Sequence, residues 1–521
     1  MSPVSEEEQA AERELPAYGS DFLQLDAADV PAAGKADWLA RRLRQAMADG
    51  RLGVGGRLPP TRVLAAELRV SRGVIGEAYR RLSEDGHVEG RRRGGTVVVA
   101  VPPPAPPAAA GTQPPPDSLS AGRDARCAPE AVFSGAPGTD VFDALRSTRA
   151  RIDLTPGQPD LAAFPRAAWL RAEQAVLAGL SAEQLGYGDP RGALRLRRAV
   201  ADWLAHSRGI RAGPDEVLIV AGTTQALTLL HSVLRSDGVD TVAVEDPGSL
   251  GTRQHLANAG MATPPVPVDE SGVRVDSLRA SGAGVVLLTP AHQFPTGVVL
   301  SGERRRELLR WAEQRGGLIV EDDYDAEHRY DRAPVTALRG LLADRVCYLG
   351  SVSKLLAPAL RIGWMVPPPR YRDALVDAKR FTDLGNAVLP QLVLARLLES
   401  GELERHLRRL RRRHRRRRDA MIGAVAEHLP GATVHGAAAG LHLTVTYRQQ
   451  VPDAELAAAA LARGVKCQPL SWHRQSHGPP GLVLGYAASP PGVLAEGVAV
   501  LGEALRELAG QHPSESQGLA S

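Results

Sequence analysis

RVCYLGSVSKLLAPALRIGW, residues 345–364, runs from a β-rich strand signal straight into a lysine with apolar neighbours. Lys354 is one of four lysines among 63 basic residues, so arginine carries nearly all the positive charge. A lysine works as a nucleophile only when its amine is neutral, which requires a partly desolvated pocket. Taken alone, a surface or ion-paired lysine is the default reading, and Arg361 seven residues on adds little. The surrounding segments decide the matter.

Four further runs, EVLIVAG (216–222), TVAVEDPG (241–248), GVVLLTP (284–290) and GLIVEDDY (317–324), are short, β-rich and end in turns or polar residues. Helix-period stretches such as TQALTLLHSVLRS and RRRELLRWAEQRG lie between them. Apolar strands alternating with helical crossovers predict a mostly parallel sheet covered on both faces, with ligands gathering at the carboxyl ends of its strands. Gly222, Thr223 and Thr224 form a turn into a helix start, where amides, hydroxyls and the helix dipole favour a phosphate. Asp322 sits at a strand end with Tyr324 two residues on, and a carboxylate there can hold a pyridinium nitrogen protonated. LTPAHQFPTG ends another strand with polar groups and a turn. GLHLTVTY, DAELAAAALARGV and GVLAEGVAVLGEALREL predict a smaller α+β lobe.

The N-terminal part has a different character. Residues 37–100 carry 13 arginines against 7 acids, whereas the whole chain is only +4. A small basic module joined to a near-neutral body outlines a DNA-binding domain with a passenger. DWLARRLRQAMADG predicts a first helix with Leu39, Leu43 and Met47 on one face. TRVLAAEL predicts a second, capped by Thr61. Ser71 caps a third running to about Asp85, with Ile75, Ala78, Tyr79 and Leu82 inward. Arg72, Gly73, Gly76 and Arg80 are left outward, where a recognition helix meets base edges, and Arg62 is a further candidate contact. HVEGRRRGGTVVV predicts a β-hairpin wing with Arg91, Arg92 and Arg93 at its tip for phosphate or minor-groove contact.

At 521 residues several domains are expected. These are an acidic disordered tail (1–35), the basic module (36–100), a Pro/Ala-rich linker (101–150), the α/β body (151–510) and a disordered tail (511–521). Within the body, a large lobe covers about 180–400 and a small lobe about 401–510. The run ERHLRRLRRRHRRRRDAM (404–421) reads first as a solvated or interdomain helix face, and second as an auxiliary nucleic-acid contact. Cys127, Cys347 and Cys467 lack metal or redox spacing, and no metal is expected. The acidic N-terminus lacks the apolar core of a secretory signal, and no apolar run is long enough to span a membrane. A soluble cytoplasmic protein is the expectation.

Residues 37–99, with DGRLGVGGRLPPTRVLAAELRVSRG, resemble the winged helix-turn-helix of GntR-type bacterial regulators. The order of FPRAAW, YGDPRGALRLRRAV, EDPG, HQFPTGV, EDDYDAEHRY and SKLLAPALRIGW resembles the MocR subfamily, in which such a reader precedes an aminotransferase-like body. The implied fold class is multi-domain: an α+β winged helix-turn-helix, then an α/β pyridoxal-phosphate-dependent aminotransferase-like fold of type I with two lobes. The resemblance implies that Lys354 forms an internal aldimine with pyridoxal 5'-phosphate. It further implies that Asp322 pairs with the ring nitrogen and Tyr324 contacts the ring's 3-oxygen. Ser351, Arg361, Gly222, Thr223 and Thr224 would hold the phosphate, and Tyr187 would reach the partner subunit's phosphate in a homodimer. Expected partners are double-stranded operator DNA and a small amine, an amino acid or pyridoxal phosphate itself as effector. Two positions depart from the pattern. Ser249 replaces the aromatic residue that stacks on the cofactor ring, and Val483 stands where aminotransferases grip a substrate carboxylate with arginine; Arg474 is nearby. A regulator that uses its cofactor as a sensor is therefore expected, with an active aminotransferase tethered to a DNA reader as the alternative.

Overall fold

The structure, a computed structural model, describes residues 34–48, 54–91, 95–99, 132–325, 327–330 and 336–511, with the single positions Leu25, Pro31 and Leu52. Most of the expected acidic tail, residues 101–131 of the expected linker and residues 512–521 lie outside the described residues. The chain divides into two compact units between Asp124 and Ala125.

In the first unit, helices α1 (Lys35–Ala48), α2 (Thr61–Glu67) and α3 (Arg72–Glu84) are followed by strands β1 (Val88–Arg91) and β2 (Gly95–Val98), paired antiparallel. The expected apolar faces close the core: Leu39, Leu43 and Met47 of α1 are buried against Ile75, Ala78, Tyr79 and Leu82 of α3. The Tyr79 hydroxyl donates to the Pro59 carbonyl at 2.7 Å, fixing the entry to α2. Ser71 caps α3, accepting from the Val74 amide at 3.4 Å. Thr61 does not cap α2. Pro60 holds the cap position without a side-chain hydrogen bond, and Thr61 is the first helical residue. Two prolines set the entry angle there, and the hydroxyl is not required.

The second unit is built on an eight-stranded sheet. Its spatial order is Leu218–Val220, Gly363–Val366, Val346–Ser351, Leu318–Asp323, Val285–Leu288, Ala243–Asp246, Pro265–Asp269 and Gly272–Val273. The five strands from Val346–Ser351 to Pro265–Asp269 run parallel; Gly363–Val366 and Gly272–Val273 run opposite to them, and Leu218–Val220 pairs antiparallel with Gly363–Val366. Such a sheet is buried on both faces, which is why its strands read as unbroken apolar runs. A four-stranded antiparallel sheet around His442–Thr446 and Gly481–Gly485 forms the small lobe with helices Asp453–Ala462 and Pro491–Gln511.

Two expected boundaries shift. Residues 132–150 are not linker: Val141–Ser147 is helical, and Val132, Phe133, Val141 and Leu145 are buried in the small-lobe core. Four apolar side chains in a Pro/Gly/Ser-rich stretch lacked a helical period long enough to announce this. The basic run lies in helix Glu402–His428, which bridges both lobes rather than opening the small one. Leu403, Leu407 and Leu410 pack in the large-lobe core, and Met421 and Val425 in the small. Arg405, Arg408, Arg409 and Arg412 are exposed, while Arg417 is buried 2.9 Å from Asp160 and Arg418 donates to the Ala437 carbonyl at 2.8 Å. The run is thus a solvated face on one side and lobe cement on the other.

Below the sheet, Arg208 Nε donates to Asp323 at 2.6 Å, and the Tyr348 hydroxyl donates to the same oxygen at 2.7 Å. Both ionic side chains are 1% exposed. Removing one partner strands a buried charge, so Arg208→Ala is expected to cost about 3–5 kcal/mol. Arg195→Ala, which breaks an exposed pair with Glu399, should cost under about 1 kcal/mol. Urea unfolding followed by tryptophan fluorescence checks both.

Candidate functional site

The register brings three chain segments to one edge. Leu349 lies opposite Asp322 in the parallel pair, and Gly363 lies opposite both Ser351 and Val220. The end of Leu318–Asp323, the turn carrying Lys354 and the turn Ala221–Gly222 therefore converge. They open on a cavity of about 770 Å³ whose wall includes Lys354, Asp322, Tyr324, Ser351, Thr223, Thr224 and Arg361. The strand's two-residue period sorts its three acids. Glu321 and Asp323 turn to the opposite face, where Glu321 accepts from the amides of Leu338 (2.9 Å) and Arg339 (3.0 Å). Asp322 alone turns into the cavity.

The Lys354 amine donates to the Gly157 carbonyl. Loss of water holds it below the ordinary lysine range, and the carboxylates of Asp325 and Asp322 oppose that shift. Burial drives the Asp322 carboxyl up to about 7; Asp323 and Asp325 add to this and Lys354 opposes it. Its Oδ1 is out of contact with solvent and has no hydrogen-bond partner among the described residues. Tyr324 donates to the His292 carbonyl at 3.1 Å, and His292 Nδ1 lies 3.1 Å from the phenol and 2.9 Å from Asp325. Burial raises the Tyr324 phenol well above its usual value, with Asp325 and Asp322 adding to the effect.

Beside this group lies an anion cradle. Helix Thr223–Ser236 begins at Gly222, whose φ of +87° suits glycine. A β-carbon there would stand 3.3 Å from the Arg361 guanidinium, a tight contact that the arginine would have to ease by shifting slightly. Arg361 donates to the Ala221 carbonyl, and Ser351 Oγ bonds Ser353 Oγ at 2.9 Å. Free amides at a helix start, two threonines, two serines and a guanidinium suit a phosphate.

Tyr187 is not on the cavity wall; it is 95% exposed. Ser249 caps helix Leu250–Asn258, accepting from the Thr252 amide at 3.2 Å, so its hydroxyl serves the backbone rather than a ring face. Val483 is buried between Thr444 and Gln468 in the small-lobe sheet, an uncharged face. Arg474 donates to the Pro479 carbonyl and does not line the cavity. The sequence reading missed Ser353, Glu245, His292, His442 and Phe142. Ser353 was signalled by its place beside Lys354, and His292 by the turn LTPAHQFPTG. Burial raises Glu245 to about 7, while Thr289 hydrogen bonds oppose the shift.

On the first unit, Arg62, Ser71, Arg72, Gly73, Gly76 and Arg80 are all exposed. Arg80 is engaged by Glu77 (2.6 Å) and Glu84 (2.5 Å) on its own helix, pairs that water screens and a phosphate can replace. The side chain of Arg91, and all of Arg92 and Arg93, lie outside the described residues.

Residues 35–98 match the model of the bacterial regulatory proteins of the gntR family, and residues 150–481 match aminotransferase class I and II. The chain is 33% identical to the probable rhizopine catabolism regulatory protein MocR of Rhizobium meliloti, over 90% of this chain and 93% of that one. It is 29% identical to the pyridoxine biosynthesis transcriptional regulator PdxR of Corynebacterium glutamicum, over 86% and 91%. Kynurenine aminotransferase of Pyrococcus horikoshii, solved in complex with PMP, matches with a TM-score of 0.65 and 29% identity over 71% of this chain and 94% of that one. A winged helix-turn-helix joined to a type I aminotransferase fold defines a DNA-binding transcription regulator with an enzyme-like body. The chain belongs to the MocR-type branch of the GntR regulators. No helix among the described residues is long and apolar enough to cross a membrane.

Asp322 gives a pH signature to the cofactor-free chain. Its folded pKa of about 7 lies above the unfolded value, so the folded state binds the extra proton and loses stability as pH rises through that window. Asp322→Asn should therefore gain about 2–3 kcal/mol on wild type between pH 5 and pH 8. Urea midpoints at the two pH values measure it; a constant offset would contradict it.

Proposed function

We propose that the body is a pyridoxal-phosphate sensor, and that the winged helix-turn-helix reads double-stranded operator DNA in response to it. The carrying observation is the cavity in which a desolvated Lys354 amine, the unpartnered Asp322 oxygen and a helix-start anion cradle share one sheet edge. The residues present fit the cofactor. Lys354 would anchor it covalently, and Asp322 would accept from the protonated ring nitrogen, which supplies the partner its Oδ1 lacks. Tyr324 would meet the ring's 3-oxygen. Gly222, Thr223, Thr224, Ser351 and Arg361, together with Ser353, would hold the phosphate. When bound, the cofactor supplies an electrophilic carbon at which primary amines react.

The chain's own residues set the conditions for this chemistry. Desolvation keeps the Lys354 amine available as a nucleophile. Asp325, through His292, orients the Tyr324 hydroxyl. The uncharged face around Val483 offers no guanidinium for a carboxylate, which favours sensing over amino-acid turnover. The effector is a small amine, an amino acid or the cofactor itself. The body acts as a homodimer, supported by the exposed Leu185, Tyr187, Phe381 and Leu384, with Tyr187 reaching the partner's phosphate. Arg62, Ser71, Arg72, Gly73, Gly76 and Arg80, with Arg91, Arg92 and Arg93 of the wing, contact the operator. The protein acts in the cytoplasm.

Operator affinity of the full chain, measured with and without pyridoxal phosphate and at fixed salt, tests the reading. Wild type should change affinity by about fivefold or more on loading, within the usual range of site coupling, and Lys354→Ala should not respond. An identical response in Lys354→Ala would overturn the sensor role. Arg72→Ala should weaken operator binding about tenfold in either state.

A further inference from the structure

Helix Val141–Ser147 precedes the first strand of the body, Ile152–Asp153. It meets the cavity with Phe142, Leu145 and Arg146. Its hold is two-sided. From the large lobe, Gln254 Nε2 donates to the Gly138 carbonyl at 2.7 Å. Gly251 lets Phe142 approach: the ring lies 3.5 Å from where a β-carbon would stand. From the small lobe, Trp472 meets Phe142 edge-on at 6.3 Å and stacks on Phe133 at 5.3 Å. One short stretch therefore ties the lobes together and also walls the space that holds Lys354.

Of the cations on that wall besides Lys354, two are held by the body and the third stands in water, paired only with an exposed neighbour. Lys466 pairs with Asp153 at 2.9 Å, Arg361 belongs to the anion cradle, and Arg146 pairs with the exposed Asp143 on its own helix. What Phe142 and Leu145 offer is apolar and aromatic surface. We propose that they form a subsite for the apolar body of a primary amine whose nitrogen is directed toward Lys354. The subsite rests on the sensor reading above and adds the effector's chemical class. In sequence, residues 99–140 separate this helix from the last strand of the DNA reader. A ligand that packs on the helix favours its docked state by its differential affinity for that state.

The test uses the full chain loaded with pyridoxal phosphate and two probes, phenethylamine and ethanolamine, which share the amine and differ in the body. Wild type should bind phenethylamine about tenfold or more tightly, read from the visible spectrum. Phe142→Ala should narrow that preference to about threefold or less, and Phe142→Leu should keep most of it. Hydrogen exchange in residues 141–147 should slow with phenethylamine and not with ethanolamine. A preference absent from wild type, or undiminished in a folded Phe142→Ala, overturns the subsite. If Phe142→Ala does not fold, the wild-type exchange result decides. If wild type takes up no cofactor, the sensor reading fails by itself; exchange protection by phenethylamine in that cofactor-free chain would still uphold the subsite, and its absence would remove it.

Discussion

An amine stripped of water beside two carboxyl groups is the constraint on which the body depends. Lys354 is held below its usual pKa by desolvation, and Asp322 is held above its own by the same cause. Neither group is at ease in the cavity without a ligand. The sheet accepts that cost because its strand ends are fixed by register, with Asp322, Ser351 and the Gly222 turn arriving together. Beneath them, Arg208 pairs with Asp323 and Glu321 accepts from two backbone amides on the opposite face. A strand that sends alternate acids to two environments thus serves structure with two of them and the site with the third.

Much of this was legible in the chain. The five strand signals all became strands, because a sheet covered on both faces imposes continuous apolar runs. The converging residues were legible because strand ends with polar punctuation mark ligand edges in such sheets. The strands Gly363–Val366 and Pro265–Asp269 were not, since one follows a lysine turn with little β signal and the other carries two prolines at a sheet margin. Phe142 was hidden for a different reason. Its importance comes from contacts to Trp472 and Gly251, both distant in the sequence, which no local period encodes.

The two departures from the enzyme pattern acquire physical explanations. Ser249 caps a helix whose start borders the cavity, and Phe142 brings an aromatic ring to the neighbouring Gly251 from outside the sheet. Val483 is buried between Thr444 and Gln468, so an uncharged side chain stands at that strand position. In the proposed sensor, neither position has to serve amino-acid turnover.

The most direct measurement is borohydride reduction of the purified full chain after loading with pyridoxal phosphate, followed by peptide mass analysis. The account predicts a phosphopyridoxyl group on the peptide carrying Lys354 and on none carrying Lys35, Lys379 or Lys466. An unmodified Lys354 under those conditions would contradict it.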